Sequence, residues 1–165
     1  MTLIEMLITV ALLSLALLTS VPASVSWMVR EDLRSATFEV HSTLQRTRIE
    51  AINRNRPCRL VIDTATRKLE IWDGKATVPT GDDELLRVAN LPSSVVFARP
   101  DGGGPAITLP GLGGTSYGAT FDASGPLSSG GGEIVMFGGN SYTRLTLFVG
   151  GGVDVEHWNG SSWEL

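Results

Sequence analysis

The sequence predicts an α+β fold: one long N-terminal α-helix packed on a glycine-rich, mostly antiparallel β-sheet head. Three observations carry this. The first 29 residues are almost wholly apolar. Apolar residues then recur at spacings of three and four as far as "NRNRP". From Arg59 onward the period changes to two, and runs of glycine separate the strand candidates.

Residues 6–29 hold no charged side chain, and 17 of these 24 positions are apolar. As a helix the run is about 36 Å long at about 1.5 Å per residue, enough to cross a hydrocarbon core of about 30 Å. A cleavable secretory signal is a poorer reading: the first residues carry Glu5 and no Lys or Arg, and no break follows the greasy run. An ordinary single-pass anchor fits the length but leaves Glu5 unexplained.

Beyond the run, Leu33, Ala36, Val40, Leu44, Thr47 and Ala51 form one helix face. Phe38, Ile49 and Ile52 lie on another side, so the helix has one face for its own head and one for neighbours. Asn53, Asn55 and Pro57 are stop signals. A helix over residues 2–55 is about 80 Å long, more than a head of this size can cover.

"RLVIDTATRKLEIWD" reads as a hairpin, and "DGKATVPTGDDELL" as an exposed loop. Further strands are predicted at Val95–Ala98, Ile107–Leu109, Tyr117–Phe121, Glu133–Phe137, Tyr142–Val149 and Val153–Trp158. Seventeen of the 19 glycines lie between Gly102 and Gly160, where they mark turns. Three units follow: 1–29, the hydrophobic transmembrane or filament-core half of the helix; 30–56, its amphipathic half; and 57–165, the head.

Charge divides the chain in the same way. Residues 30–59 carry seven arginines against four acids, while residues 60–165 carry six basic residues against twelve acids. An acidic head argues against nonspecific nucleic-acid binding. The lone cysteine, Cys58, excludes an intrachain disulfide and reads as a small buried residue. His41 and His157 come with no partner motif, and His157 and Glu156 point to opposite sides of a strand.

Glu5 is the informative residue. A carboxylate in a membrane segment costs roughly 2.5–3.5 kcal/mol and usually has a partner. The α-amino group of Met1 is the only cation available in the first 29 residues. A subunit could pair its own amine and acid. Alternatively, an axially offset second copy could bring its amine to Glu5, a head-to-tail contact that does not close and so builds a helical filament.

"TLIEMLITVALLSLALL" resembles the N terminus of mature type IV pilins and type II secretion pseudopilins. "LQRTRIEAINRNRPCRLVID" and "TFDASGPLSSGGGEIVMF…RLTLFVGGGVDV" resemble the GspH/FimT group within that superfamily. The resemblance implies the pilin fold and a structural, non-enzymatic role as a pilin or pseudopilin. Such a subunit waits in the bacterial inner membrane and then joins a periplasmic or extracellular filament. Its partners are further copies or other pilins, with the assembly machinery of the pilus or secretion system. Glu5 carries over as the assembly residue and Pro22 as the place where the helix loosens in the filament. The family's mature first residue, usually Phe, is N-methylated; here it is Met1, either that residue itself or an initiator added in its place.

Some members of the group bind DNA during uptake through a basic C-terminal region. The last twelve residues here, "DVEHWNGSSWEL", hold no Lys or Arg, so a DNA-binding minor pilin is the runner-up. A membrane-anchored enzyme is the other rival, unsupported by any catalytic constellation. No cofactor is expected. "GDDEL" and "FDASG" could offer oxygens to calcium but lack EF-hand spacing and read as solvated loops. No glycine run completes a phosphate-loop pattern. Asn159 opens a glycosylation sequon. Trp72, Trp158 and Trp163 read as core or interface anchors, and Trp27 as an interfacial residue at the end of the apolar run.

Overall fold

The computed structural model describes residues 2–74 and 83–165, without the side chains of residues 16–26. Helix α1 spans Leu3–Arg54, 52 residues, about 78 Å at the usual rise. Thr2 precedes it in an extended conformation, φ −89° and ψ 153°. At the other end Asn55 takes the left-handed conformation, φ 51°. The N–H of Arg56 then closes on the carbonyl of Ala51 at 3.2 Å, and Pro57 prevents continuation.

Among the described residues nine strands follow: β1 Cys58–Asp63, β2 Lys68–Asp73, β3 Glu84–Asn90, β4 Gly111–Gly113, β5 Ser116–Phe121, β6 Gly132–Gly138, β7 Ser141–Leu147, β8 Val153–Trp158 and β9 Trp163–Glu164. They form two sheets, ordered β3-β2-β1-β5-β4 and β6-β7-β8-β9, with every pairing antiparallel. The hairpin over 59–73 and the strands around 117–121, 133–137, 142–149 and 153–158 stand where the sequence predicts them.

Two expectations are corrected. The stretch read as an exposed loop ends in a strand, β3, whose alternation is broken by a bulge of its own: Leu86 is the extra residue between Leu85 and Arg87, which pair with Trp72 and Ile71. Residues 95–98 and 107–109 are single bridges rather than strands, Val96 to Phe137 and Ile107 to Ile134. Pro100, Pro105 and Pro110 remove donors from this segment and hold it off a regular ladder. Trp72, Trp158 and Trp163, read as core or interface anchors, are all half-buried.

The predicted helix face is the core face. Leu33 is 4% exposed, and Ala36, Val40, Leu44, Thr47 and Ala51 are fully buried. They pack on Leu60, Ile62, Leu69, Ile71 and Phe121 of the first sheet and on Ile134, Met136 and Leu145 of the second. The buried Thr47 hydroxyl is satisfied locally, donating to the Thr43 carbonyl at 2.7 Å. Arg48 ties the helix to the β7–β8 turn by donating to the Gly151 carbonyl at 3.3 Å. A Cβ at Gly151, φ +82°, would lie 2.8 Å from the Gly125 carbonyl oxygen and 3.2 Å from Arg48 Nε. That crowding explains why "FDASG" and "VGGGV" both place glycine at this junction.

Candidate functional site

Glu5 lies in the first turn of α1 and is exposed. Its Oε2 accepts the Thr2 N–H at 3.4 Å. The Thr-Leu-Ile-Glu spacing is that of a capping box, and the helix dipole favours an anion here. The contact is longer than the 2.7–2.9 Å typical of charge-assisted bonds, and a carboxylate accepts about four hydrogen bonds, so capacity remains. Met1 and the surroundings of Pro22 lie outside the described residues.

The apolar half of α1 has nothing of its own chain upon it. From Leu3 to Leu15 nine large apolar side chains are 55–81% exposed. Among the described residues no helix is long and apolar enough to cross a membrane. Lower down, Phe38 is 71%, Ile49 53% and Ile52 47% exposed. They form the second apolar side that the spacing predicts.

The head carries structural electrostatics. Arg144 donates to Glu156 through Nε at 2.7 Å and Nη2 at 2.9 Å, and its guanidinium carbon lies 4.6 Å from the Trp163 ring centroid. Trp158 and Trp163 meet edge to face at 5.3 Å. The Arg144 hydrogen bonds hold the Glu156 carboxyl below its ordinary value of 4.5 and raise the guanidinium in turn. Asp63 is also held low, chiefly by the Thr66 hydroxyl at 2.6 Å and then by Thr115 at 2.8 Å; it ties the β1–β2 turn to the β4–β5 turn.

Both carboxylates are depressed in the folded state, so both stabilise it above their unfolded values and cease to as pH falls through the folded ones. Thermal stability of the head is therefore expected to fall as pH drops below 4.5. Melting curves across that range should show a shallower acid slope for Glu156→Gln than for the unsubstituted chain.

Cys58 is buried, and burial pushes its thiol up to about 11, where the nucleophilic thiolate is scarce at neutral pH. His157 Nδ1 meets the Thr143 hydroxyl at 3.2 Å, and Glu156 is taken by Arg144. Among the described residues no group of three His, Cys, Asp or Glu could hold a metal. Of the calcium candidates, residues 81–82 of "GDDEL" lie outside the described residues. Asn159 is exposed, its Oδ1 accepting the Ser161 and Ser162 N–H groups at 2.9 and 2.8 Å and its Nδ2 donating to Ser162 and Glu164.

Arg59 is one residue the pattern did not single out. Strand alternation places it away from α1, yet it is 1% exposed. Among the described residues its guanidinium nitrogens have no hydrogen-bond partner. Burial lowers its pKa, and the Asp83 carboxylate opposes that.

The fold and sequence have known counterparts. The family model for the type II transport protein GspH matches residues 36–151, well over half of the chain. No curated protein has a sequence similar enough to match. Among solved structures, the type IV minor pilin FimU of Pseudomonas aeruginosa superposes in one crystal form with a TM-score of 0.58 at 17% identity, over 81% of this chain and 93% of that one. A second crystal form gives 0.56 at 16% identity, over 79% and 95%. The minor pseudopilin EpsH of the Vibrio cholerae type 2 secretion system gives 0.48 at 17% identity, over 73% and 94%. The match over residues 36–151 shows the family and the superposition on FimU shows the fold: the chain belongs to the GspH family of type II transport proteins and has the helix-on-sheet architecture of that solved structure.

Proposed function

We propose that this chain is a pilin-like structural subunit of a type IV pilus or type II secretion filament. It is held in the inner membrane by residues 1–29 before assembly and enters the filament through that same segment. In the filament the Glu5 carboxylate of one copy takes the Met1 amine of an axially offset copy as its partner. The observation that carries the reading is the exposed apolar surface of Leu3–Leu15 with one carboxylate at its tip. Lipid and neighbouring helices are interchangeable covers for such a surface, so transfer from one to the other never brings it into water. The contact is heterologous and propagates, with copies of this chain or other pilins as neighbours. N-methylation of Met1 would leave the amine cationic and able to donate.

Imaging of sheared filaments, with the head carrying a C-terminal epitope tag, tests this. The tag is expected on filaments in assembling cells and in the inner-membrane fraction where assembly is blocked. A tag found only on soluble, solitary chains in both cases would overturn the proposal.

A further inference from the structure

Where the base of the head meets α1 there is an open groove of about 380 Å³, lined by Trp27, Arg30, Arg34, Ser141, Thr143 and His157. The β6–β7 turn builds one wall. Gly139 and Asn140 have φ of 58° and 63°, a tight turn of the kind that joins twisted strands. A Cβ on Gly139 would come within 2.9 Å of Arg30 Cγ, so the turn presses on the Arg30 stem and leaves little room for it to swing away.

The groove is positively charged within an otherwise acidic head. Arg30 forms no ion pair among the described residues. Arg34 meets Glu31 at 3.7 Å, with side chains 82% and 55% exposed, a contact of little strength. Glu31 is the only carboxylate of the lining. Ser141 adds a hydroxyl, and His157 adds its Nε2, its other ring nitrogen being engaged with the Thr143 hydroxyl. Two guanidinium forks with a hydroxyl beside them match the oxygens of a phosphate.

Position selects the source of that phosphate. Leu3 and Trp27 are separated by about 36 Å of helix at about 1.5 Å per residue, close to the thickness of a bilayer core. Trp27 is 68% exposed at the end of the charge-free run, and Arg30 and Arg34 follow within two turns. This is the height at which tryptophan and arginine meet headgroups.

We infer that the groove binds the phosphodiester of an anionic lipid headgroup while the subunit resides in the membrane. The inference rests on the membrane residence proposed above. Bound there, a headgroup fixes the rotation of the head about α1 relative to the bilayer surface, and extraction into a filament must release it.

The test uses the full chain in neutral detergent, titrated separately with dihexanoyl phosphatidylglycerol, dihexanoyl phosphatidylcholine and inorganic phosphate, with thermophoresis as the readout. The phosphatidylglycerol is expected to bind at least about tenfold more tightly than either alternative, and the double variant Arg30→Gln/Arg34→Gln to lose about tenfold, the scale of a charge-assisted contact. Ser141→Ala gives a second, milder loss without removing charge. Equal binding of the two lipids, or unchanged binding by the double variant at an unchanged melting temperature, overturns the site. Inorganic phosphate binding as tightly as phosphatidylglycerol overturns the lipid assignment. Alkaline-carbonate extraction of native membranes separates the two ideas: a chain released by carbonate contradicts membrane residence itself, whereas a retained chain without lipid preference contradicts only the groove.

Discussion

Glu5→Gln should leave the chain inserted in the membrane and sharply reduce its incorporation into filaments, and Glu5→Lys should abolish incorporation. The two substitutions separate the roles open to this carboxylate. In the isolated chain it caps its own helix, accepting the Thr2 N–H at 3.4 Å. Glutamine serves a capping box as well as glutamate does, so if capping were its whole task Glu5→Gln would assemble normally. If the task is to neutralise a neighbour's amine in an apolar core, glutamine fails for want of charge. Breaking such a pair by removing one partner costs about 3–5 kcal/mol per interface, repeated at every subunit. Lysine adds like-charge repulsion. The measurement is the ratio of filament-borne to membrane-borne chain, read by immunoblot after shearing.

Leu44→Ala is expected to cost about 2–5 kcal/mol of head stability, as removal of a large core side chain does. Leu44 is fully buried where α1 faces both sheets, so neither layer can close the gap alone. A loss of this size corresponds to a fall of roughly 4–20 °C in Tm for a chain of this length. Phe38→Ala is the matched control. Phe38 is six residues earlier on the same helix but 71% exposed. Its truncation should move stability by less than about 0.5 kcal/mol, as is usual for surface changes, while weakening filament incorporation if neighbours cover that face. Thermal melts of both variants decide; equal losses would mean that the two faces are not distinct.

What could be read from the sequence follows from how local each signal is. The division of α1 into a core face and an outer face is written in spacings of three and four, and Leu33 to Ala51 fall as predicted. The β1–β2 hairpin follows from period two within a short stretch. β3 is not legible because it carries a bulge at Leu86, between the residues that pair with Ile71 and Trp72, which takes "ELLRVAN" out of strict alternation. Residues 95–98 and 107–109 look like strands locally, but the prolines around them let only single bridges form. The burial of Arg59 is a tertiary matter: nothing within "PCRLVID" tells its outward face from that of Val61. At the N terminus, Glu5 stands out as a lone acid in an apolar run. The groove at Trp27, Arg30 and Arg34 had no sequence signature, since Ser141, Thr143 and His157 join it only through the register of β7 with β8, where Thr143 lies opposite His157.

The central claim is that Glu5 of one copy neutralises the leading amine of another. The most direct measurement is a filament reconstruction by electron cryomicroscopy at side-chain resolution. The account predicts the Glu5 carboxylate within about 4 Å of a neighbouring subunit's Met1 nitrogen, an ion-pair separation, along the whole filament. A carboxylate bonded only to its own Thr2 N–H, with no neighbour's nitrogen close by, would contradict it.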